Sequence, residues 1–339
     1  MDKIAQCAKM IRQGGLVIFP TETVYGVGAD STNLKALERL RTIKKREASK
    51  PFSLLVAKKD LDEINVDLDR SIYKVIDEFW PGPLTIVVSS KDKAKTIGIR
   101  MPHNNIALSL IKESRCFLAA PSANFADNAP PTTCEEALRD LDGLVDIAID
   151  GGSAAVGQES SVIDLTGFPP KILREGPITR DEIENAVKQK IVLFVCTGNS
   201  CRSVMAEYLL KKVLVSRHDV KVISAGTGVY LSMGASAETI EVLRKEGIDA
   251  SLHFSQPVTK TTLKKADLVL VMTQMHRQQI LEKVPSIENR IYLLREFANI
   301  SKRFGSDLDI SDPIGKSSQA YEECLGMIKE SIGKIAELL

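Results

Sequence analysis

Between Cys196 and Arg202 the sequence reads Cys-Thr-Gly-Asn-Ser-Cys-Arg, a thiol and a guanidinium separated by five residues. That spacing arises by chance, so its placement carries the information. It follows an apolar run at 191–195 and precedes a helix-like stretch from Ser203. A loop entering a helix N-terminus aims successive backbone N–H groups at one point and forms a nest for an anion. Thr197, Gly198, Asn199, Ser200 and Cys201 build that nest, with Gly198 expected to permit the tight turn. Arg202 adds a planar fork matched to phosphate oxygens. The same positive surroundings favour the Cys196 thiolate, the nucleophilic form, and the Ser203 hydroxyl can hydrogen-bond it. Attack on phosphorus also needs an acid for the departing group. Asp312, stiffened by Pro313, is the candidate, although an Asp-Pro pair alone usually marks a turn.

The first half offers a more diffuse set. Residues 20–28 (PTETVYGVG) mix hydroxyls, a carboxylate and glycines after a strand-like run and read as a binding loop. It is not a P-loop, because no GxxxxGK[ST] occurs in this half. Lys44, Lys45, Arg46 and Lys50 gather cations near the end of a helix-like stretch. They either grip a polyphosphate or form a solvated face. Ser122-Ala123-Asn124 belongs either to a site or to a turn closed by its own side chains.

These groups must be positioned by strands and helices. Residues 15–20, 84–88, 117–120, 145–149, 161–165 and 171–173 read as strands, 33–45 as a helix, and Thr133 caps a helix running to 141. The pattern then restarts. A polar helix at 179–189, capped by Thr179, leads into the buried-type strand 191–195. An amphipathic helix at 203–213, strand–helix units around 220–224 and 268–272, and a closing helix at 319–338 follow. Both halves are α/β, with parallel and mixed sheets left open, and the boundary at 180–190 gives domains 1–188 and 189–339. A length of 339 residues fits two domains, and 44% hydrophobic with 26% charged residues fits soluble globular ones. The net charge of +1 excludes a global field towards nucleic acid or membrane. The local exception is 35–50, with seven basic residues against Glu38 and Glu47. No secretory or membrane-spanning run and no paired CxxC is present, so a reducing cytoplasm and no membrane association are expected.

CTGNSCRS at 196–203, SAGT at 224–227, ADLVLVMT at 266–273 and Asp312-Pro313 together resemble the low-molecular-weight protein tyrosine phosphatase family. The resemblance covers nearly all of the second half. It implies a doubly wound parallel sheet, Cys196 as nucleophile, Arg202 as transition-state clamp and Asp312 as general acid, with a phosphoprotein substrate and no cofactor. In the first half, PTETVYGVG, Lys44 and Arg46 with Lys50-Pro51, WPGPLT at 80–85, RMP at 100–102, PSAN at 121–124, SSVID at 160–164 and LREG at 173–176 occur in one order. That order is similar to the threonylcarbamoyl-adenylate synthase family. The resemblance implies an α/β twisted open sheet and synthesis of threonylcarbamoyl-adenylate and pyrophosphate from threonine, bicarbonate and ATP with Mg²⁺. Threonylcarbamoyl transferase partner proteins then modify an adenosine beside the anticodon of certain tRNAs. Carried over by position, Thr23, Arg100, Ser122 and Ser160 would line the threonine pocket, and Lys44, Arg46, Lys50, Asn124, Thr132 and Arg174 would contact ATP.

Rival readings remain at this stage. Residues 35–50 could make the first half an RNA-binding module, although aromatics for base stacking are only 5% of the chain. One half could be a catalytically inactive regulator. Arsenate reductases share the cysteine loop but need a further cysteine pair, and none occurs between Arg202 and Cys324. Cys201 is either a redox partner for Cys196 or a small buried side chain. The substrate is phosphoarginine or phosphotyrosine. Ser200 tips the reading towards phosphoarginine: tyrosine-directed relatives often carry isoleucine there, and the protein-arginine phosphatases carry threonine.

Overall fold

Apolar runs such as 84–88 and 191–195 are too short for helices, and each half of the chain buries its own set in a separate sheet. A computed structural model describes residues 3–46, 51–58, 61–167, 169–298 and 308–339. The chain divides into two units, Met1–Val187 and Lys188–Leu339.

The strands of the first unit are β1 (Val17–Phe19), β2 (Gly26–Asp30), β3 (Leu54–Leu55), β4 (Leu84–Ser89), β5 (Thr96–Arg100), β6 (Leu118–Ala119), β7 (Ile147–Ala148), β8 (Ser161–Asp164) and β9 (Lys171–Arg174). They form one sheet in the order β7-β1-β2-β6-β3-β5-β4-β8-β9. The sheet is mixed: β1 with β7, β3 with β5 and β4 with β8 run parallel, and the other pairs antiparallel. Helices α1 (Lys3–Arg12), α2 (Leu34–Lys44), α3 (Arg70–Phe79), α4 (Asn105–Ser114), α5 (Cys134–Leu141) and α6 (Arg180–Lys188) cover it. The second half of the supposed loop PTETVYGVG is strand β2, because Tyr25, Val27 and Ala29 bury into the core with Leu16 and Leu40. Asn33 caps α2 by accepting from the N–H groups of Lys35 and Ala36. The helix ends at Lys45, which is left-handed at φ 45°, so Lys44 turns inward and is buried.

The second unit holds β10 (Lys190–Cys196), β11 (Val220–Gly226), β12 (Leu268–Val271) and β13 (Ile291–Leu293), all parallel, in the order β11-β10-β12-β13. Its helices are α7 (Arg202–Val213), α8 (Ala237–Lys245), α9 (Lys260–Lys265), α10 (Gln274–Lys283), α11 (Leu294–Phe297) and α12 (Ser318–Leu338). Alternation along β10 feeds two cores. Val192 and Phe194 pack with Met205, Val242 and Ile328, from α7, α8 and α12. Ile191, Leu193 and Val195 pack with Leu263 and Ile280, from α9 and α10. The sheet is therefore wound on both faces, and the loop after β10 lies where the winding direction reverses. Helix α7, read as amphipathic, is instead buried at eight of its twelve residues. It sits between the sheet and helices α8 and α12, which leaves it little solvent face. Among the described residues, no helix is long and apolar enough to cross a membrane.

Candidate active sites

The loop between β10 and α7 wraps the Cys196 thiol. Cys196 is 2% exposed, and its Sγ lies 3.0 Å from Ser203 Oγ and 3.3 Å from the donating backbone N–H of Asn199. The tight turn is taken by Asn199, at φ 52°, and not by Gly198, whose φ lies outside the left-handed region. Asparagine tolerates that region because its side chain can bond locally. Here Asn199 Nδ2 donates to Ser203 Oγ (3.0 Å) and Ser224 Oγ (2.7 Å), and Oδ1 accepts from Gln256 N (2.9 Å). His253 Nε2 meets the Asn199 carbonyl at 2.9 Å. The glycine that the loop does require is Gly226, where a Cβ would stand 2.4 Å from the Thr197 carbonyl oxygen. Cys201, the N-cap of α7, makes no side-chain capping bond, which leaves the first-turn N–H groups for an anion.

Arg202 and Asp312 come together as an ion pair, and Arg202 Nη1 also donates to the Ile310 carbonyl at 3.1 Å. The expected clamp and acid thus share one place beside the loop. Asp312 is 40% exposed in its side chain and open to a leaving group. Asp312→Asn is expected to slow substrates with poor leaving groups by about 10²-fold or more, and those with acidic leaving groups little. The check is kcat against leaving-group pKa; an equal loss across the series would remove the acid role.

Sequence reasoning missed three supports behind the loop, His253, Gln256 and His276, which look like ordinary polar residues until the fold gathers them; the fourth, Ser224, opens the SAGT stretch. His276 is fully buried, between Thr197 Oγ1 (2.9 Å from Nε2) and Thr273 Oγ1 (2.8 Å from Nδ1). Burial, aided by the positive charge of Arg202, pushes its pKa down to about 4, so it stays neutral. All six cysteines are free thiols. Cys201 is buried, with Ser236 Oγ at 3.5 Å and Tyr321 Oη at 3.9 Å. Burial pushes the Cys324 thiol up to about 12, which keeps it protonated and inert.

In the first unit a cavity of about 840 Å³ opens over the sheet. It is bordered by Thr23, Arg100, Ser122 and Ser160, and by Lys44, Arg46, Asn124 and Arg174. Eight of the ten residues carried over from the sequence thus meet around one space. Lys50 lies outside the described residues. Thr132 does not border the cavity: its N–H and hydroxyl both donate to Glu136 Oε2, at 2.7 and 2.9 Å. Arg100, 7% exposed, donates to Thr23 Oγ1 (2.8 Å) and the Gly82 carbonyl (3.2 Å) and pairs with Glu22 at 2.8 Å. Burial lowers its pKa, and Glu22 opposes that shift. Arg174 donates through Nε and Nη2 to Ser160 O (2.9 Å) and Oγ (3.2 Å), and pairs through Nη1 with Glu159 at 2.8 Å.

Of the cations at the end of α2, Lys44 is buried and turned inward, whereas Lys45 and Arg46 are exposed. Lys44 Nζ donates to Ser122 O (3.0 Å), Asn124 O (2.5 Å) and Asn124 Oδ1 (3.0 Å). Arg46 stacks over Phe52, 5.0 Å from the ring centre, and donates to Pro51 O at 2.8 Å. Desolvation pushes the Lys44 pKa down to about 8; Arg46 adds to the shift, and Glu159 and Asp140 oppose it. Thr85, whose Oγ1 lies 2.9 Å from Ser160 Oγ, and Glu159 border the cavity without having been singled out. Thr85 closes the motif WPGPLT and Glu159 precedes SSVID, both of which were read.

Residues 9–176 match the Sua5/YciO/YrdC family model, described as "Telomere recombination", and residues 191–339 match "Low molecular weight phosphotyrosine protein phosphatase". The chain is 38% identical over 194 residues to a threonylcarbamoyl-AMP synthase of Pyrococcus abyssi, covering 55% of this chain and 57% of that one. It is 32% identical over 189 residues to a provisionally named threonylcarbamoyl-AMP synthase of Mycobacterium tuberculosis, covering 53% and 87%. Over 143 residues it is 36% identical to EpsP of Ralstonia solanacearum, a provisionally named low molecular weight protein-tyrosine-phosphatase, covering 42% and 91%. The chain spans about half the length of the first curated synthases it matches.

Proposed function

Because the chain belongs to the Sua5/YciO/YrdC family of threonylcarbamoyl-AMP synthases through residues 9–176 and to the low molecular weight phosphatase family through residues 191–339, we propose a bifunctional enzyme. Its first unit makes threonylcarbamoyl-adenylate and pyrophosphate from threonine, bicarbonate and ATP, for transfer by partner proteins to a tRNA adenosine. Its second unit removes phosphate from a protein side chain through a cysteine nucleophile.

The observation that carries the first activity is the cavity in which hydroxyls and Arg100 meet Lys44, Arg46 and Arg174. Arg100 and the Thr23 and Ser160 hydroxyls suit the carboxylate and hydroxyl of threonine. A carbamate oxygen then attacks the α-phosphorus of ATP, and fixed cations stabilise the charge that builds on the phosphate oxygens. Mg²⁺ enters with ATP as part of that substrate. The described residues bring no three His, Cys, Asp or Glu side chains together as a cage for a resident ion. Pure protein given ATP, labelled bicarbonate and threonine should yield the labelled adenylate and pyrophosphate. Salt-sensitive RNA binding without ATP turnover would instead make the unit a binding module.

For the second unit, phosphate oxygens would take the loop N–H groups and the Arg202 fork, Cys196 would attack phosphorus, and Asp312 would protonate the departing group. Half-buried Ser200 brings a small hydroxyl to the loop, 3.6 Å from Cys201 Sγ, a polar group suited to hydrogen-bonding a planar phosphoguanidinium. Phosphoarginine is therefore the favoured substrate. The rival is phosphotyrosine, favoured by the exposed aromatic side chains of Tyr230 and Phe254. They belong to segments tied to the loop, through Gly228 N to Thr197 O and through His253 to Asn199 O. Ser200→Ile is expected to shift the kcat/KM ratio towards phosphotyrosine peptides by about tenfold or more. An unchanged ratio would show that residue 200 does not select the substrate.

A further inference from the structure

Among the described residues bordering the cavity of the first unit there are five cations, Lys44, Lys45, Arg46, Arg100 and Arg174, and one carboxylate, Glu159. Five cations suit the phosphates of a nucleotide and the carboxylate of an amino acid. The amino acid also brings an ammonium, which has no lone pair. Before it can attack the carbon of bicarbonate it must give up a proton, and Glu159 is the one carboxylate among the described residues bordering the cavity.

Arg174 fixes where that acceptor stands. Its guanidinium spans two adjacent residues, with Nη1 2.8 Å from Glu159 Oε1 and Nη2 3.2 Å from Ser160 Oγ, which in turn lies 2.9 Å from Thr85 Oγ1. The carboxylate is thereby held beside the Ser160 hydroxyl assigned to threonine. Glu159 Oε2 has no ion pair or hydrogen bond to any described residue, and the side chain is 34% exposed. Its charge raises the proton affinity of both Lys44 and Arg100, which border the same cavity. Of the other nearby carboxylates, Glu22 is buried against Arg100, Asp140 accepts from Phe125 N and Asn128 Nδ2, and neither borders the cavity.

We infer that Glu159 is the general base of the first unit, taking the proton of the threonine ammonium; the inference rests on the synthase reading given above. Glu159 takes one proton and leaves a neutral amine. The nitrogen lone pair forms the N–C bond to bicarbonate, and the C–OH bond breaks. The departing hydroxide combines with the second amine proton as water. Ammonium, bicarbonate and carboxylate thus become carbamate, water and a protonated Glu159, with charge conserved. The carbamate oxygen is then ready to attack ATP.

The two directions of the reaction separate this role from support of Arg174. Glu159→Gln keeps the shape of the side chain and cannot take the proton. Synthesis of the adenylate from threonine, bicarbonate and ATP should fall about 10²-fold or more. ATP formation from purified threonylcarbamoyl-adenylate and labelled pyrophosphate should stay within about threefold of wild type, because that direction expels carbamate and deprotonates no amine. Glu159→Asp retains a carboxylate and should recover part of the forward rate, which also guards against a folding defect. Equal losses in both directions would overturn the assignment and leave Glu159 as a support for Arg174 or a contact to ATP. Unimpaired synthesis by Glu159→Gln would overturn it outright. Wild-type protein that neither makes the adenylate nor returns it with pyrophosphate to ATP would instead remove the synthase reading itself.

Discussion

Cys196→Ser is expected to lower phosphate hydrolysis by the second unit by at least about 10⁴-fold, the scale on which losing a covalent nucleophile acts. The surroundings of Cys196 are built for a negatively charged sulfur. Asn199 N–H donates to it at 3.3 Å, Ser203 Oγ lies 3.0 Å away, and the uncapped N-terminus of α7 opens beside it. A serine hydroxyl is a far weaker nucleophile at neutral pH than a cysteine sulfur. The smaller oxygen also leaves a gap beneath the loop without disturbing the Asn199–Ser224–Gln256 network that holds it. Phosphate binding and Tm should therefore stay close to wild type while turnover disappears, and adenylate synthesis by the first unit should be unchanged. Rapid-quench measurement of phosphate release under single-turnover conditions checks this. Hydrolysis within tenfold of wild type would mean that water attacks phosphorus directly and that Cys196 is not the nucleophile.

The second unit was more legible than the first, for a physical reason. Its site is local: nucleophile, nest and clamp come from seven consecutive residues where a buried strand gives way to a helix, and strand β10 announces itself as a run of apolar residues. What escaped was long-range. His253 and His276 are polar residues of no distinctive pattern, and only a parallel sheet with helices on both faces carries them behind the loop. Gly198 was given the turn because glycine is the usual choice, yet Asn199 takes it by trading side-chain hydrogen bonds for the strain. In the first unit the site draws on β5, β8, β9, the end of α2 and the loop before β2, and the elements carrying it are as short as two residues. Strands such as Leu54–Leu55 are too brief for any periodicity to register, and β2, with glycine at Gly26 and Gly28, reads as a loop. The ordered motifs carried the first unit where periodicity could not. They did not reach Glu159, whose meaning depends on the five cations around it. They also left Lys44 open to a solvated reading that its burial excludes.

Lys44→Met is expected to cut adenylate formation by about 10³-fold and to lower stability by several kcal/mol, because Lys44 is both a charge and a structural tie. Its ammonium holds Ser122 O, Asn124 O and Asn124 Oδ1, and so pins the loop after β6 to the end of α2. Removing the donor leaves those carbonyls buried without a partner. A pH series separates the two roles. Burial holds the Lys44 pKa at about 8, against 10.5 for an unperturbed lysine. Below pH 8 the folded chain carries the full cost of a desolvated charge. Between about 8 and 10.5 the folded chain has released that proton and the unfolded chain still binds it, so this group makes stability rise with pH across the window. Catalysis runs the other way: the free enzyme loses its cation as pH passes about 8, and kcat/KM for ATP should fall there, since that ratio reports ionisation before ATP binds. Lys44→Arg keeps its charge throughout and should show neither slope, at the cost of a poorer fit to three carbonyl-type oxygens. Denaturant unfolding and pyrophosphate release, each followed from pH 7 to 10, give both curves. If kcat/KM for ATP stays level across pH 8 in the wild type, or falls equally in Lys44→Arg, the Lys44 charge does not act on ATP and the residue only fastens the Ser122–Asn124 loop.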